Sequence, residues 1–200
     1  MSCKGSQDEL ERVEVTSLEG LREWLRHHHV QTEGVWVVTW KKGRGPRVPY
    51  AEVRDEALCW GWIDSRPAKL DEDRSMLLLA PRRAGSGWSR INKERVAALE
   101  TEGRMAGPGR AKVDEAKRDG SWNALDEAHA LVVPADLARA LAEHSSAAER
   151  FAAFPPSARR GILEWIASAR RADTRAQRIR QTARLASRGL RANHPESRGK

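Results

Sequence analysis

The chain has 200 residues, 32% charged and 40% apolar, with a formal net charge of +8. This is the balance of an ordinary soluble protein, and the sequence offers no run near the roughly 18 consecutive apolar residues that a spanning helix requires. Its two cysteines, Cys3 and Cys59, lie far apart and form no Cys-x-x-Cys pair, which excludes a disulfide framework and points to a reducing compartment. A chain of this length buries roughly 70% of its extended surface on folding and needs no staples.

The elements follow in chain order. Residues 13–15 read as a short strand. Ser17 caps a helix over 17–28, with Leu18, Leu21, Trp24 and Leu25 at helical spacing. Residues 35–40, "VWVVTW", are the clearest strand, β-branched and aromatic, and continuous enough in apolar character for burial on both faces. Residues 50–60 read as a helix with Glu52, Asp55 and Glu56 near its start, where the helix dipole favours acids, and with Gly61 ending it. Trp62-Ile63-Asp64 then leads into a turn near Pro67, and "MLLLA", residues 76–80, is a second buried strand.

From Asn92 onward the pattern is helical. Asn92 caps "KERVAALETE", and Gly103 closes it. A second helix covers 108–119, and others start at Pro134, Ser145 and Ser157. The last spans 173–190, with Ala176, Ile179, Ala183, Ala186 and Leu190 forming a narrow apolar seam. The expected architecture is α+β: a small mixed sheet with flanking helices over residues 1–120, a bundle of short helices over 121–192, and a disordered tail over 193–200.

Lys and Arg outnumber Asp and Glu 12 to 3 in residues 151–200, while the three preceding blocks of fifty stand at 8 to 7, 9 to 9 and 7 to 9. The whole basic excess therefore sits at the C-terminus. Its simplest reading is a solvated arginine-rich face. The alternative is a nucleic-acid track built by Arg175, Arg178 and Arg184 with Lys41 and Lys42, but the aromatic residues are not interleaved with those charges. The N-terminus has no apolar run, which with the cysteine usage gives the expectation of a cytoplasmic bacterial protein.

Several segments occur together and in order: "GVWVVTWKK", "ALCWGWID", "LLAPRR", "GWSRINKERV", "GRM", "AKRDGSW" and "ADTRAQRI". On these the chain resembles the YdeI/OmpD-associated, bacteriocin-protection family from about Trp24 to Gly189. The resemblance implies a non-enzymatic stress or antimicrobial-peptide protection protein. It supplies no catalytic residue, cofactor or substrate.

The residues themselves narrow the chemistry. Cys59 sits near a helix C-terminus between Leu58 and Trp60, where neither dipole nor neighbours favour a thiolate, so it reads as a small buried hydrophobe. Asp64 needs a partner if buried, and Arg82 or Arg83 is the expected one. An enzyme acting through Asp64 is the alternative. The bend "PRRAGSGWSRINKER", residues 81–95, combines guanidinium and hydroxyl donors with a helix start, the ingredients of an anion site. The expected site for a small anionic ligand is therefore Trp62, Asp64, Arg82, Arg83, Trp88, Ser89 and Lys93. No catalytic residue and no cofactor is assigned, and none of the six histidines has the context of a general base. Consecutive His27, His28 and His29 project about 100° apart on a helix and cannot all face one ion, so no metal is assigned either. Oligomeric state has no signature in the sequence.

Overall fold

A computed structural model describes residues 9–194. Cys3 and residues 195–200, which include most of the expected tail, lie outside the described residues. The described chain divides into two compact units: residues 9–86 with 91–119, and residues 87–90 with 120–194.

The first unit is α+β. Its strands are β1 (Arg12–Glu14), β2 (Val35–Trp40), β3 (Trp62–Lys69) and β4 (Arg74–Pro81). Its longer helices are α1 (Leu18–His28) and α2 (Tyr50–Cys59), then α3 (Arg90–Thr101) and α4 (Gly107–Asp119). The sheet order is β1-β2-β4-β3, with β1 and β2 parallel and the other pairs antiparallel. The parallel pair needs a crossover, which α1 supplies. Ser17 caps α1 as expected, its Oγ accepting from the Gly20 amide at 3.0 Å.

Register sets which side chains face the core. Val35 pairs with Leu79 and Val37 with Leu77, so these four share one face. With Val13, Leu21, Leu25, Val53, Ala57 and Trp62 they form the buried cluster beneath α1 and α2. Trp24 meets Trp62 edge-on, with ring centroids 5.7 Å apart.

Three expectations are corrected. The expected turn near Pro67 is instead the middle of β3, which continues to Lys69. The register shifts between Asp64 and Pro67, and β3 is an edge strand; an edge at a bulge is where a residue without an N–H is tolerated. Helix α3 begins at Arg90, so Asn92 lies inside it, nearly buried, and does not cap it. Asp55 and Glu56 are not dipole-facing surface acids: they are 6% and 2% exposed.

Those two acids tie the helices together. Arg22 of α1 donates to both Glu56 oxygens at 3.0 and 3.1 Å, and Arg104 reaches Oε2 at 3.5 Å. The Trp60 indole N–H donates to Glu56 Oε1 at 3.2 Å. Asp55 receives Arg54 from its own helix and both arms of Arg95 from α3. Buried carboxylates are retained only when paired and hydrogen-bonded, and both of these are.

Helix α4 packs against the end of α2 through Gly109. A Cβ added there would lie 2.2 Å from the Cys59 carbonyl oxygen, inside any permitted contact. That same carbonyl accepts from the Ala106 amide at 3.1 Å.

The second unit is helical: α5 (Asp126–His129), α6 (Ala135–Ala142), α7 (Ala147–Ala153), α8 (Pro156–Ala167) and α9 (Ala172–Ala186). Its core joins Leu137, Leu141, Phe151, Ile162, Ile166, Ile179 and Ala183. The seam of α9 is wider than expected, since Thr182 and Leu185 are buried with Ile179, Ala183 and Ala186. The short α5 lies in a stretch expected to be a plain connection, and its His129 Nε2 contacts Glu164 Oε1 of α8 at 2.9 Å.

Two substitutions test this packing. Gly109→Ala is expected to lower unfolding free energy by roughly 2 kcal/mol or more through overpacking. Gly107→Ala in the same helix meets nothing within 4 Å and should be near neutral in the same denaturant titration. Glu56→Ala should cost roughly 1–3 kcal/mol, because it leaves the Trp60 N–H without its acceptor and Arg22 without its partner, while Arg104 keeps Glu102. A change below about 1 kcal/mol would show the buried acids to be dispensable.

Candidate functional site: a charged cavity at the open end of the sheet

Residues of β2, β3 and β4, of the loop before α2 and of the start of α2 line a cavity of about 490 Å³. Val48, Val53, Pro67 and Leu77 give it apolar walls, while Thr39, Ser65 and Ser75 add hydroxyl groups. Its charged lining is Lys41, Lys42 and Arg47 against one carboxylate, Asp64. The volume lies within the range of small-molecule sites.

The cations come from the loop between β2 and α2, residues 41–47. That loop is fastened at several points. The Lys41 amide donates to the Asp73 carbonyl at 2.8 Å, and Lys41 Nζ donates to the carbonyls of Asp71 and Glu72 at 2.8 Å each. Arg44 lies 3.6 Å from Asp73. The Trp40 ring lies so close over Gly45 that a Cβ there would come within 2.5 Å of it. Lys42 and Arg47, by contrast, make no ion pair among the described residues.

Asp64 is the one expected site residue that lines this cavity. Its expected ion pair with Arg82 or Arg83 is absent. Instead Tyr50, at the start of α2, donates its hydroxyl to Asp64 Oδ2 at 2.6 Å. The hydrogen bond, then burial and the Asp64 charge, stabilise the neutral phenol and push Tyr50 up to about 12. Arg82 is buried, and burial pulls its guanidinium down to about 10, with the Asp64 charge opposing the shift.

The other expected site residues are placed as follows. Trp62 is fully buried in the sheet core, with its indole N–H lacking a hydrogen-bond acceptor. Arg83 is exposed in the bend after β4, and Lys93 is half-buried on α3. Trp88 and Ser89 group with the second unit, where Trp88 is buried with its ring 4.9 Å from Trp122. Of this lining the sequence pattern points to Lys41, Lys42 and Asp64 but not to Tyr50. A phenol that opens a helix directly after a Gly- and Pro-rich basic loop was the available signal.

Cys59 is fully buried, and burial, reinforced by the Glu56 charge, pushes its thiol up to about 12. It is no nucleophile. The three neighbouring histidines take three different partners. His27 meets Glu23 at 2.8 Å, and His28 stacks on Trp24 with its Nδ1 2.7 Å from the Trp24 carbonyl. His29 Nδ1 lies 2.9 Å from the Arg26 carbonyl. On α9, Arg175 forks onto Asp136 at 2.8 and 3.1 Å. Arg178 bonds Ser168 Oγ at 3.0 Å and lies 5.0 Å over the Trp165 ring. Two of the three arginines of the nucleic-acid alternative are thus spent on internal contacts. No helix among the described residues is long and apolar enough to cross a membrane.

Fold and cavity define a two-unit α+β protein with a ligand-sized, cation-rimmed cavity in its first unit. The chain belongs to the family described as a domain of unknown function (DUF8412), whose model matches residues 13–112, half of the chain. Residues 130–189 match the model described as bacteriocin-protection, YdeI or OmpD-associated, so the resemblance drawn from the motifs is shown over that segment. Comparison with curated proteins finds no match. Comparison with solved structures finds none either.

The protein has a single tyrosine, so its phenolate absorbance reports Tyr50 alone. Native protein should titrate near 12, and Asp64→Asn, which keeps an acceptor but removes the charge, should lower the midpoint while leaving it above the ordinary value of about 10, because the hydrogen bond and burial persist. An unchanged midpoint would separate Tyr50 from Asp64.

Proposed function

We propose that the protein is a non-enzymatic binding protein whose first unit takes up a small organic anion, in the bacteriocin-protection setting named for the family matched by its second unit. The carrying observation is the cavity lining: three cations against one carboxylate, above apolar walls, with Lys41 bonded only to carbonyls and Lys42 and Arg47 making neither ion pair nor side-chain hydrogen bond among the described residues. Charges held at the rim of an apolar cavity attract and orient an anion whose body the walls desolvate. This reading moves the anion site from the bend at 81–95 to the loop at 41–47 and keeps Asp64. A cytoplasmic location fits it.

A thermal-shift panel of aliphatic carboxylates and organic phosphates tests the reading. A ligand at a hundred times its Kd contributes about 2.7 kcal/mol, a rise of roughly 5–10 °C for a chain of this size. The double variant Lys42→Ala/Arg47→Ala should lose that rise, while Arg180→Ala/Arg184→Ala, which removes equal charge from exposed positions on α9, should retain it. Equal loss in both variants would make the effect one of net charge and end the proposal.

A further inference from the structure

Anion binding uses one end of the cavity. Asp64 stands at the other. The sheet register gives the span from Asp64 to Thr39 near the end of β2, three residues before Lys42: Asp64 is level with Leu79 of β4, whereas Thr39 is level with Ser75. Four residues of strand at about 3.3 Å each put roughly 13 Å between the two levels. Between them lie Pro67 and Leu77, paired in register, with Val48 and Val53 also lining the cavity.

Asp64 is a carboxylate with capacity left. Its Oδ2 accepts from Tyr50, its Oδ1 accepts nothing among the described residues, and it has no ion-pair partner there. A half-buried carboxylate of this kind favours an ammonium group. Resting on the anion-binding reading, we infer that the ligand is dipolar and elongated: a short peptide of three or four residues, with its α-ammonium on Asp64 and its α-carboxylate between Lys42 and Arg47. A single amino acid is too short to span about 13 Å, whereas three to four extended residues at 3.3–3.6 Å each match it. The hydroxyls of Thr39, Ser65 and Ser75 are suited to the peptide groups, and the apolar walls to aliphatic side chains.

The test is a ¹⁵N–¹H titration of the full chain with an equimolar library of free tripeptides built from alanine, valine and leucine. The same library N-acetylated, the same library C-amidated, and hexanoate alone form the other arms. The free library is expected to shift amides around Lys42, Tyr50, Asp64 and Leu77 saturably. Acetylation, or Asp64→Asn, should weaken binding at least tenfold, as should amidation or Lys42→Ala/Arg47→Ala. The acetylation arm stands by itself should Asp64→Asn fail to fold. Equal binding of acetylated and free libraries overturns the inference. Shifts with hexanoate but none with free peptides overturn it while leaving the anion site intact. Silence in every arm removes both.

Discussion

The first unit depends on two adjacent buried carboxylates. Asp55 and Glu56 follow one another on α2 and so project about 100° apart. One reaches α3 through Arg95, and the other reaches α1 through Arg22 and the segment after α3 through Arg104. Neither acid is stable in the interior alone, so each imposes the position of its arginine, and together they fix both the rotation and the tilt of α2. The Gly109 contact acts at the end of the same helix, where α4 approaches the Cys59 carbonyl. Helix α2 is thus clamped along its second half, while its first turn is tied to β3 through Tyr50 and Asp64 and borders the cavity.

That asymmetry gives the cavity its reason to exist. Interiors ordinarily close to crystal-like density, and an apolar wedge beside Val53 and Leu77 would collapse if the helix were free to settle. The clamp prevents it from settling. Tyr50 meanwhile bridges from the first turn to Asp64 and holds the wedge at a set width. The loop at 41–47 is pinned by the carbonyls of the β3–β4 turn and by Trp40, so its two spare cations are carried on a framework and not on a mobile arm. A site with fixed walls and fixed charges loses little entropy when a ligand orders it, which favours binding selectivity over chemistry. The thiol of Cys59 is suppressed by its burial, and the charge of the same Glu56 that organises the helices reinforces the effect.

Sequence pattern reached the elements whose cause is local. The strand at 35–40 follows from β-branched density between turn residues, the α1 cap from Ser17, and the end of α2 from Gly61. It did not reach features whose cause lies across the sheet. Pro67 argued for a turn, and only the edge position of β3, decided by the pairing of β4 with β2, makes it acceptable inside a strand. That Asp64 needs a partner is legible in the sequence, but opposite charge points to Arg82 or Arg83 on the next strand, whereas the partner is the phenol from fourteen residues upstream. Asp55 and Glu56 read in the sequence as ordinary solvated helix acids; their burial is a tertiary property, with α1 and α3 supplying their arginine partners. Local rules name which residues are expensive to bury, whereas the partner that offsets the cost is a tertiary fact.

The distribution of charge separates the two units in kind. The first unit is close to balanced, yet it leaves two cations unspent beside an apolar wedge. The second holds the basic excess, yet Arg175 and Arg178 are consumed by Asp136, Ser168 and the Trp165 ring, and His129 by Glu164. Net charge is therefore a poor guide to where free cationic groups are available on this protein. What matters is which guanidinium and ammonium groups the fold has left without an internal carboxylate or carbonyl. By that measure the small cluster on a glycine-rich loop outweighs the larger one on α9. The family description matched over residues 130–189 refers to bacteriocin protection, whereas the cation-rimmed cavity lies in the segment matched by a domain of unknown function.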